Sequence, residues 1–477
     1  MKLTKNKTVK DFGMVLVSNI LVLFSSILTG LVIPKLLGVA NYGYYKIFTL
    51  YLGYTALLHF GFVDGILLFH AGEDYSKINV LKFRRDTRFF GKTQIIASII
   101  IIIVSAIVFE GIYKFMFIMI GVDTIATNMT SYYQYVSQCT MRFKELSIRK
   151  VYQAALRILM TVTFFLFHWV GVIGNLSAYI YIFCLVAIDI LLLIWYVVTY
   201  REITFGTAEK LRNNFNEIIG YYKRGIVLTI AFQVANLIFN LDRQFVSILY
   251  NTETYALYSF AYSLISMATT VIGAVSLVLF PNLKRRSRAT ISDDFSKGMA
   301  AIAILVFAAH IGYYPLCGFI KWFLPDYVQS LVYLKIIFPG LAISSCISVI
   351  IFTYYKLLDK NIIYFIISCF VLLISALLNW MAYVLFETPE AISWASVVTL
   401  LIWYIMSELY FIKDYHVKWK KNFIYILLVS VGFYGTAFLV ENNIIGIVLY
   451  TIIFAAITIL FYKQLIVESL GMIRKVK

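Results

Sequence analysis

The chain has 477 residues, of which 61% are hydrophobic and 14% are charged, and its formal net charge is +17. A soluble protein is about half apolar and about a quarter charged, so no soluble fold has enough interior for this much apolar surface. Intrinsic disorder is excluded by the same composition, because disordered segments are poor in apolar residues. The chain is therefore predicted to be an all-α polytopic membrane protein.

Apolar runs of about 20 residues, the length that crosses a bilayer as a helix, follow one another along the chain. They predict about fourteen transmembrane helices, at residues 12–37, 42–70, 90–110, 115–141, 151–172, 176–200, 224–250, 254–282, 297–320, 329–356, 361–386, 390–412, 421–440 and 443–464. The connections between them are too short for a folded domain outside the membrane.

The positive charges test this arrangement independently, because the cytoplasmic connections of membrane proteins are rich in Lys and Arg. Most of the 41 Lys and Arg residues lie in alternate connections. Both termini are therefore predicted to be cytoplasmic, and the charge excess indicates topology rather than a nucleic-acid-binding surface. The cations outside this pattern are Lys35, Lys46, Lys114, Arg157, Arg243, Lys321 and Lys335.

Two junctions between helices have similar sequences and indicate that the chain contains two repeated halves. The first reads LLGVANYGYYKIF from Leu36, and the second reads LYNTETYALYSFA from Leu249. Both junctions are predicted on the exterior side, between an outgoing and a returning helix. The halves would therefore be parallel repeats related by an axis along the membrane normal.

Short motifs in these stretches occur in a definite order. They are Ile33-Pro34-Lys35-Leu36-Leu37-Gly38 followed by Tyr42-Gly43, the glycine segment 61–65, the pair Asp242-Arg243, Tyr255 with Tyr258, and Pro281-Asn282-Leu283. Together they resemble the lipid-linked oligosaccharide flippases of the MOP superfamily, the Wzx-like polysaccharide transporters. The resemblance implies two pseudo-symmetric six-helix lobes around a central cavity, working by alternating access. The lobes would be residues 1–205 and 206–415, followed by two additional helices and a cytoplasmic tail in 416–477.

Polar side chains recur at helical spacing on several predicted spans. A central Arg facing lipid costs about 2.5–3.5 kcal/mol, so such a stripe faces protein or water. The stripes include Gln233, Asn236, Asn240 and Arg243 on the seventh helix, Tyr255 and Tyr262 on the eighth, and Gln134 and Gln138 on the fourth. Hydrogen bonds between helices are an alternative explanation, but the density of amides on the seventh helix favours a water-filled cavity. Asp242 points away from that stripe and is assigned to packing.

Ionisable residues inside predicted spans are candidates for function. Arg157 lies on the fifth helix and Arg243 on the seventh, and Lys46 lies near the outer end of the second. They could bind a pyrophosphate at successive depths, Arg through paired hydrogen bonds and Lys as a point charge. Snorkelling to the interface explains Lys46 at least as simply. Asp189, in the middle of the sixth helix, could bind Na⁺ or H⁺ as a coupling ion, or could equally pair with Arg157.

These patterns and the resemblance favour a flippase that moves a polyprenyl-pyrophosphate-linked oligosaccharide across the bacterial cytoplasmic membrane for surface polysaccharide biosynthesis. The expected partners are this lipid, membrane lipids and other polysaccharide-assembly proteins, with no nucleic acid and no cofactor besides a coupling ion. An ion-coupled multidrug antiporter of the same superfamily is an alternative, although Arg157 and Arg243 disfavour organic cations. A membrane polysaccharide polymerase is a weaker one, because the short exterior loops hold no acidic pair or nucleophile–base set. The chain is therefore predicted not to be an enzyme.

Overall fold

The computed structural model describes the backbone of residues 2–284 and 291–476, and the side chains of 18–212, 214–269, 272 and 291–464. Throughout these residues the chain forms helices and connecting turns, without a strand. The predicted all-α class is therefore confirmed. The charged side chains predicted at both termini and in 284–290, and the motif at Pro281, lie outside the described side chains.

Packing divides the chain into two compact units, Met1–Asn236 and Leu237–Lys477, with the boundary inside one long helix. The predicted divisions after residues 205 and 415, and the predicted central cavity, remain predictions. Each unit is described below by itself.

The first unit is built from long helices joined by short turns. Their bounds are α1 Lys2–Tyr54, α2 Phe62–Phe69, α3 Val80–Val108, α4 Gly111–Cys139, α5 Phe143–Trp169, α6 Ala178–Thr199, α7 Arg201–Thr204 and the beginning of α8, Phe215–Leu249. Helix α4 packs against α1, α2, α3, α5 and α6, which places it at the centre of this unit.

The second unit contains the end of α8 and ten further helices. These are α9 Thr252–Lys284, α10 Ile291–Ala309, α11 Tyr313–Phe323, α12 Ser330–Ile337, α13 Gly340–Ser345, α14 Phe352–Leu357, α15 Asn361–Phe386, α16 Pro389–Tyr415, α17 Lys420–Leu439 and α18 Asn443–Val476. A π-helical turn, Cys346–Ile351, joins α13 to α14.

Eleven helices in the described residues are long and apolar enough to cross a membrane, compared with the fourteen predicted spans. Part of the difference is that α1 and the turn after it form one stretch, Ser18–His59, which covers most of two predicted spans. Helix α4 covers another predicted span, but Asp123, Asn128 and its glutamines make it too polar to count. Helix α9 covers the predicted eighth span, but most of its residues after Thr269 lie outside the described side chains, so it is not counted.

The predicted loop after Leu36 is a kink inside α1 rather than a break between helices. Gly38 has φ 67° and ψ 172°, a backbone conformation that side chains with a Cβ rarely adopt. Pro34, one turn earlier, lacks the amide hydrogen that would continue the regular hydrogen bonds. The chain therefore changes direction at this motif without leaving the helical conformation for more than one residue.

Helices α2 and α8 cross at three glycines. A Cβ on Gly61 would lie 2.3 Å from the Ile226 nitrogen, one on Gly65 would lie 2.1 Å from the Tyr221 carbonyl oxygen, and one on Gly225 would lie 1.9 Å from the Gly61 oxygen. Such close approach of backbones is typical of membrane helices that meet at small residues. The glycine segment noted in the sequence is therefore a contact surface within the first unit.

A buried ionic network fastens the beginnings of α3 and α8 together. Arg85 is 3% exposed and Asp86 is fully buried. The Arg85 guanidinium lies 2.7 Å from Asp86, 2.8 Å from Glu217 and 3.2 Å from Glu209, and Lys82 also pairs with Glu217. Glu209 and Glu217, from the α7–α8 region, thus both pair with Arg85 of α3.

His70 extends this network at the end of α2. Its Nδ1 lies 2.9 Å from Glu73 Oε1, and its Nε2 lies 3.1 Å from the Tyr221 hydroxyl, which donates to Asp86. Burial lowers the pKa of His70, although the Glu73 carboxylate opposes this effect.

Replacing Arg85 with Met is expected to destabilise the protein by about 3–5 kcal/mol, because the substitution leaves the Asp86 charge buried without its cation. The measurement is thermal unfolding of the detergent-purified protein. The matched control is Lys77→Met, since Lys77 is an exposed cation of the preceding turn. Equal melting temperatures for the two variants would contradict a stabilising role of the network.

Candidate functional site

The second unit contains a partly open cavity of about 420 Å³. Helices α8, α9, α12, α13 and α16 and the π turn contribute its walls, which are mainly apolar and include several hydroxyl groups. The polar lining consists of Arg243, Tyr262, Ser266, Thr269, Ser344, Ser348 and Ser396. Its volume falls within the roughly 300–1,000 Å³ of ligand-binding pockets.

Arg243 supplies the positive charge of this cavity. Its guanidinium lies 4.9 Å from the centre of the Tyr262 ring, and its Nη2 donates to the Phe239 carbonyl oxygen at 3.2 Å. Among the described residues it forms no ion pair, and its buried Nε has no hydrogen-bond acceptor. The guanidinium therefore keeps donor capacity and charge for a ligand in the cavity.

The neighbouring Asp242 forms no ion pair with Arg243, and its oxygens accept hydrogen bonds from other donors. Oδ2 accepts from Tyr258 at 2.9 Å, from Ser396 at 2.9 Å and from Tyr262, and Oδ1 accepts from the backbone N–H of Arg243 at 2.7 Å. These bonds hold α8, α9 and α16 together and fix the Tyr262 ring at the cavity wall. This placement agrees with the packing role assigned to Asp242 from the sequence.

The other predicted residues of the stripes on α8 and α9 are not among those lining this cavity. Gln233 is buried in the first unit, where its Oε1 accepts from Asn236 Nδ2 at 3.5 Å. Asn240 is half-buried on α8, and Tyr255 is 1% exposed on α9. Of the predicted residues on these two helices, the structure brings Arg243 and Tyr262 together.

In the first unit, Arg157 pairs with Asp189, which is one of the two alternatives left open by the sequence. Arg157 Nη2 lies 3.4 Å from Asp189 Oδ1, and the same oxygen accepts from Gln153 Nε2 at 2.9 Å. The Arg157 side chain remains 40% exposed, whereas that of Asp189 is 10% exposed. A guanidinium this open, with one long bond to its partner, can still bind an anion.

Lys46 of the first unit lies beside two aromatic rings of its own helix, α1. Its ammonium lies 5.3 Å from the Tyr42 ring centre and 5.4 Å from that of Tyr45. Tyr45 in turn contacts Tyr181 edge-on at 4.9 Å, and the Arg157 charge acts on both tyrosines. The predicted glutamines Gln134 and Gln138 are half-buried near the end of α4.

Sequence reasoning missed Asp123 on α4. This residue is completely buried, with 0% exposure. Neither of its carboxylate oxygens has a hydrogen-bond partner in the described part of the chain. The signal that could have found it is simple, because a single acid inside a predicted span is a functional candidate by itself. The serines of α13, the π turn and α16 carried no comparable signal.

The chain is similar in structure to the lipid II flippase MurJ in its inward closed conformation. The TM-score is 0.70 at 14% sequence identity, and the match covers 96% of this chain and 100% of that one. No protein-family model and no curated protein matches the sequence. At this identity the likeness shows the fold alone, so this all-helical polytopic membrane protein has a MurJ-like fold, and the Wzx-like subfamily remains a prediction.

Proposed function

We propose that this protein is a flippase for a polyprenyl-pyrophosphate-linked oligosaccharide. The observation that carries the proposal is the Arg243 guanidinium, which lines a mainly apolar cavity with several hydroxyl groups and forms no ion pair among the described residues. Pyrophosphate is an anion that a guanidinium binds through two parallel hydrogen bonds. The MurJ-like fold supports the same class of activity, since MurJ is a flippase of lipid II.

The chemistry of such a flippase consists of binding and release. Arg243 would hold the pyrophosphate, and the hydroxyls of Ser266, Ser344 and Ser396 would exchange hydrogen bonds with the sugar. The Tyr262 ring offers an apolar face on which a pyranose can stack. The polyprenyl tail would stay in the bilayer while the headgroup crosses, and weaker binding in the outward conformation would release it.

The proposed mechanism, membrane, topology and coupling ion rest on the sequence patterns. The protein would act by alternating access in the bacterial cytoplasmic membrane, with both termini in the cytoplasm, and would serve surface polysaccharide biosynthesis together with other assembly proteins. Arg157 and Lys46 in the first unit would bind the headgroup at other depths. Na⁺ or H⁺ would be the coupling ion, with Asp189 as its proposed ligand.

The proposal is tested with the full-length protein in liposomes that contain a fluorescent polyprenyl-pyrophosphate disaccharide. A membrane-impermeant quencher reports how much of the probe reaches the other leaflet, and we expect rapid exchange with the protein and slow exchange in protein-free liposomes. Failure to move this probe, with transport of a fluorescent organic cation instead, would favour the multidrug antiporter. The same lipid without its pyrophosphate serves as the matched control and is expected to move slowly.

A further inference from the structure

Asp123 is the starting point, because an ionised carboxylate in its position would be uncompensated. Its side chain is 0% exposed, and neither oxygen accepts a hydrogen bond from any described residue. Transferring an unpaired charge into a membrane protein interior costs far more than transferring the neutral acid. A carboxyl group so placed carries a proton or binds a cation.

A proton fits this site better than a metal ion. A hard cation such as Na⁺ needs several oxygen ligands around it, whereas a proton needs one oxygen. No hydroxyl, amide or carbonyl of the described residues forms a hydrogen bond with the Asp123 carboxyl group, so a second and third ligand are not in place. The backbone oxygen of Asp123 is itself engaged by Thr127 at 2.7 Å.

Two charged groups act on Asp123 from neighbouring helices, the Asp189 carboxylate of α6 and the Arg157 guanidinium of α5. Helix α1 contributes Tyr45 beside Arg157, while Asp64 of α2 binds Thr229 and Asp86 of α3 binds Arg85. Arg157 therefore pairs with one of the two acids. It compensates Asp189 through the 3.4 Å ion pair, and this leaves Asp123 without a cation of its own.

We propose that Asp123 and Asp189 form a two-carboxyl proton site controlled by Arg157. In the described conformation Asp123 is the protonated member and Asp189 the ionised one. When an anionic headgroup binds the Arg157 guanidinium, Asp189 loses its cation and takes up a proton from the aqueous solution to become a carboxylic acid. Binding of the anion and of the proton thus favour each other. This inference rests on the proposed function for the identity of the anion, but not for the protonation of Asp123.

Infrared spectroscopy of the full-length protein in lipid nanodiscs tests the first half. We expect the carbonyl band of a protonated aspartic acid at neutral pH, which Asp123→Asn removes and which both Asp189→Asn and the exposed control Asp326→Asn retain. Isotope-labelled aspartate separates this band from that of Glu408, a second buried acid. If Asp123→Asn fails to fold, Asp123→Glu replaces it, and the labelled aspartic acid band is then expected to disappear. An absent band, or one that Asp123→Asn leaves unchanged, would overturn the proposal.

Titration calorimetry tests the second half, with farnesyl pyrophosphate as a soluble probe and two buffers of different ionisation enthalpy. We expect proton uptake on pyrophosphate binding by the wild type and by Asp326→Asn, and none by Asp189→Asn, because pyrophosphate held at Arg243 displaces no carboxylate from its cation. Binding without proton uptake in the wild type would overturn the coupling. Absence of binding would overturn the proposed function, while the infrared band would still support the proton on Asp123.

Discussion

Arg243→Ala is expected to slow translocation of the pyrophosphate-linked probe by about 10- to 100-fold, which corresponds to the loss of about 1.5–3 kcal/mol from hydrogen bonds to a charged group. Arg243 carries the charge of the cavity, and the hydroxyls around it can bind sugar but cannot compensate a pyrophosphate. The rate is measured in the liposome assay from the leaflet distribution of the probe.

The variant is expected to remain folded, because Arg243 makes one hydrogen bond to its own helix and no ion pair in the described part of the protein. Lys321→Ala is the matched control, since it removes an exposed cation of the same unit that does not line the cavity. Arg243→Lys separates charge from geometry, because Lys keeps the charge but cannot form the paired hydrogen bonds. Wild-type transport by Arg243→Ala would remove this cavity from the transport pathway.

Gly65→Ala is expected to destabilise the protein by more than about 3 kcal/mol, at or beyond the upper end of overpacking effects. The new Cβ would lie 2.1 Å from the Tyr221 carbonyl oxygen and 2.6 Å from its carbon. Both are backbone atoms, so α2 and α8 would have to separate to admit a single methyl group. The readouts are the yield of monodisperse protein in size-exclusion chromatography and its melting temperature.

The same substitution at Gly53 provides the control. Gly53 is exposed near the end of α1, and no atom lies within 4 Å of a Cβ placed there. Alanine is the better helix former by about 1 kcal/mol, so Gly53→Ala is expected to be neutral or slightly stabilising. Similar behaviour of the two variants would mean that the α2–α8 contact does not limit stability.

The fold class was predictable because hydropathy and charge report directly on the solvent around each segment. The number of spans was harder to predict. Gly38 bends α1 without ending it, and the polar residues of α4 lower the mean hydropathy of that helix. Periodicity also placed Arg243 and Tyr262 on polar faces of consecutive helices, and the structure brings both to one cavity. Periodicity placed Tyr255 on the same face of α9 as Tyr262. Tyr255 lies seven residues earlier in that helix, however, and its side chain is buried there.

The other residues that line the cavity could not be predicted from the sequence, for a physical reason. Ser344, Ser348 and Ser396 come from helices about a hundred residues or more away from Arg243. A serine inside a membrane helix commonly donates to its own backbone, as Ser344 does here, so its presence predicts no cavity. The choice between an ion site and an ion pair at Asp189 likewise needed the position of Arg157 in space.

The π turn at Cys346–Ile351 has a consequence for tracing the ancestry of this protein. A π turn holds one residue more than an α turn, so a relative with a regular helix here would be one residue shorter. A gapless alignment through this segment would misplace every later position by one, a rotation of about 100° around the helix. Tyr354 and Tyr355, both almost fully buried, would then be matched to residues on a different face. Searches that forbid gaps inside helices would lose similarity from this turn onward.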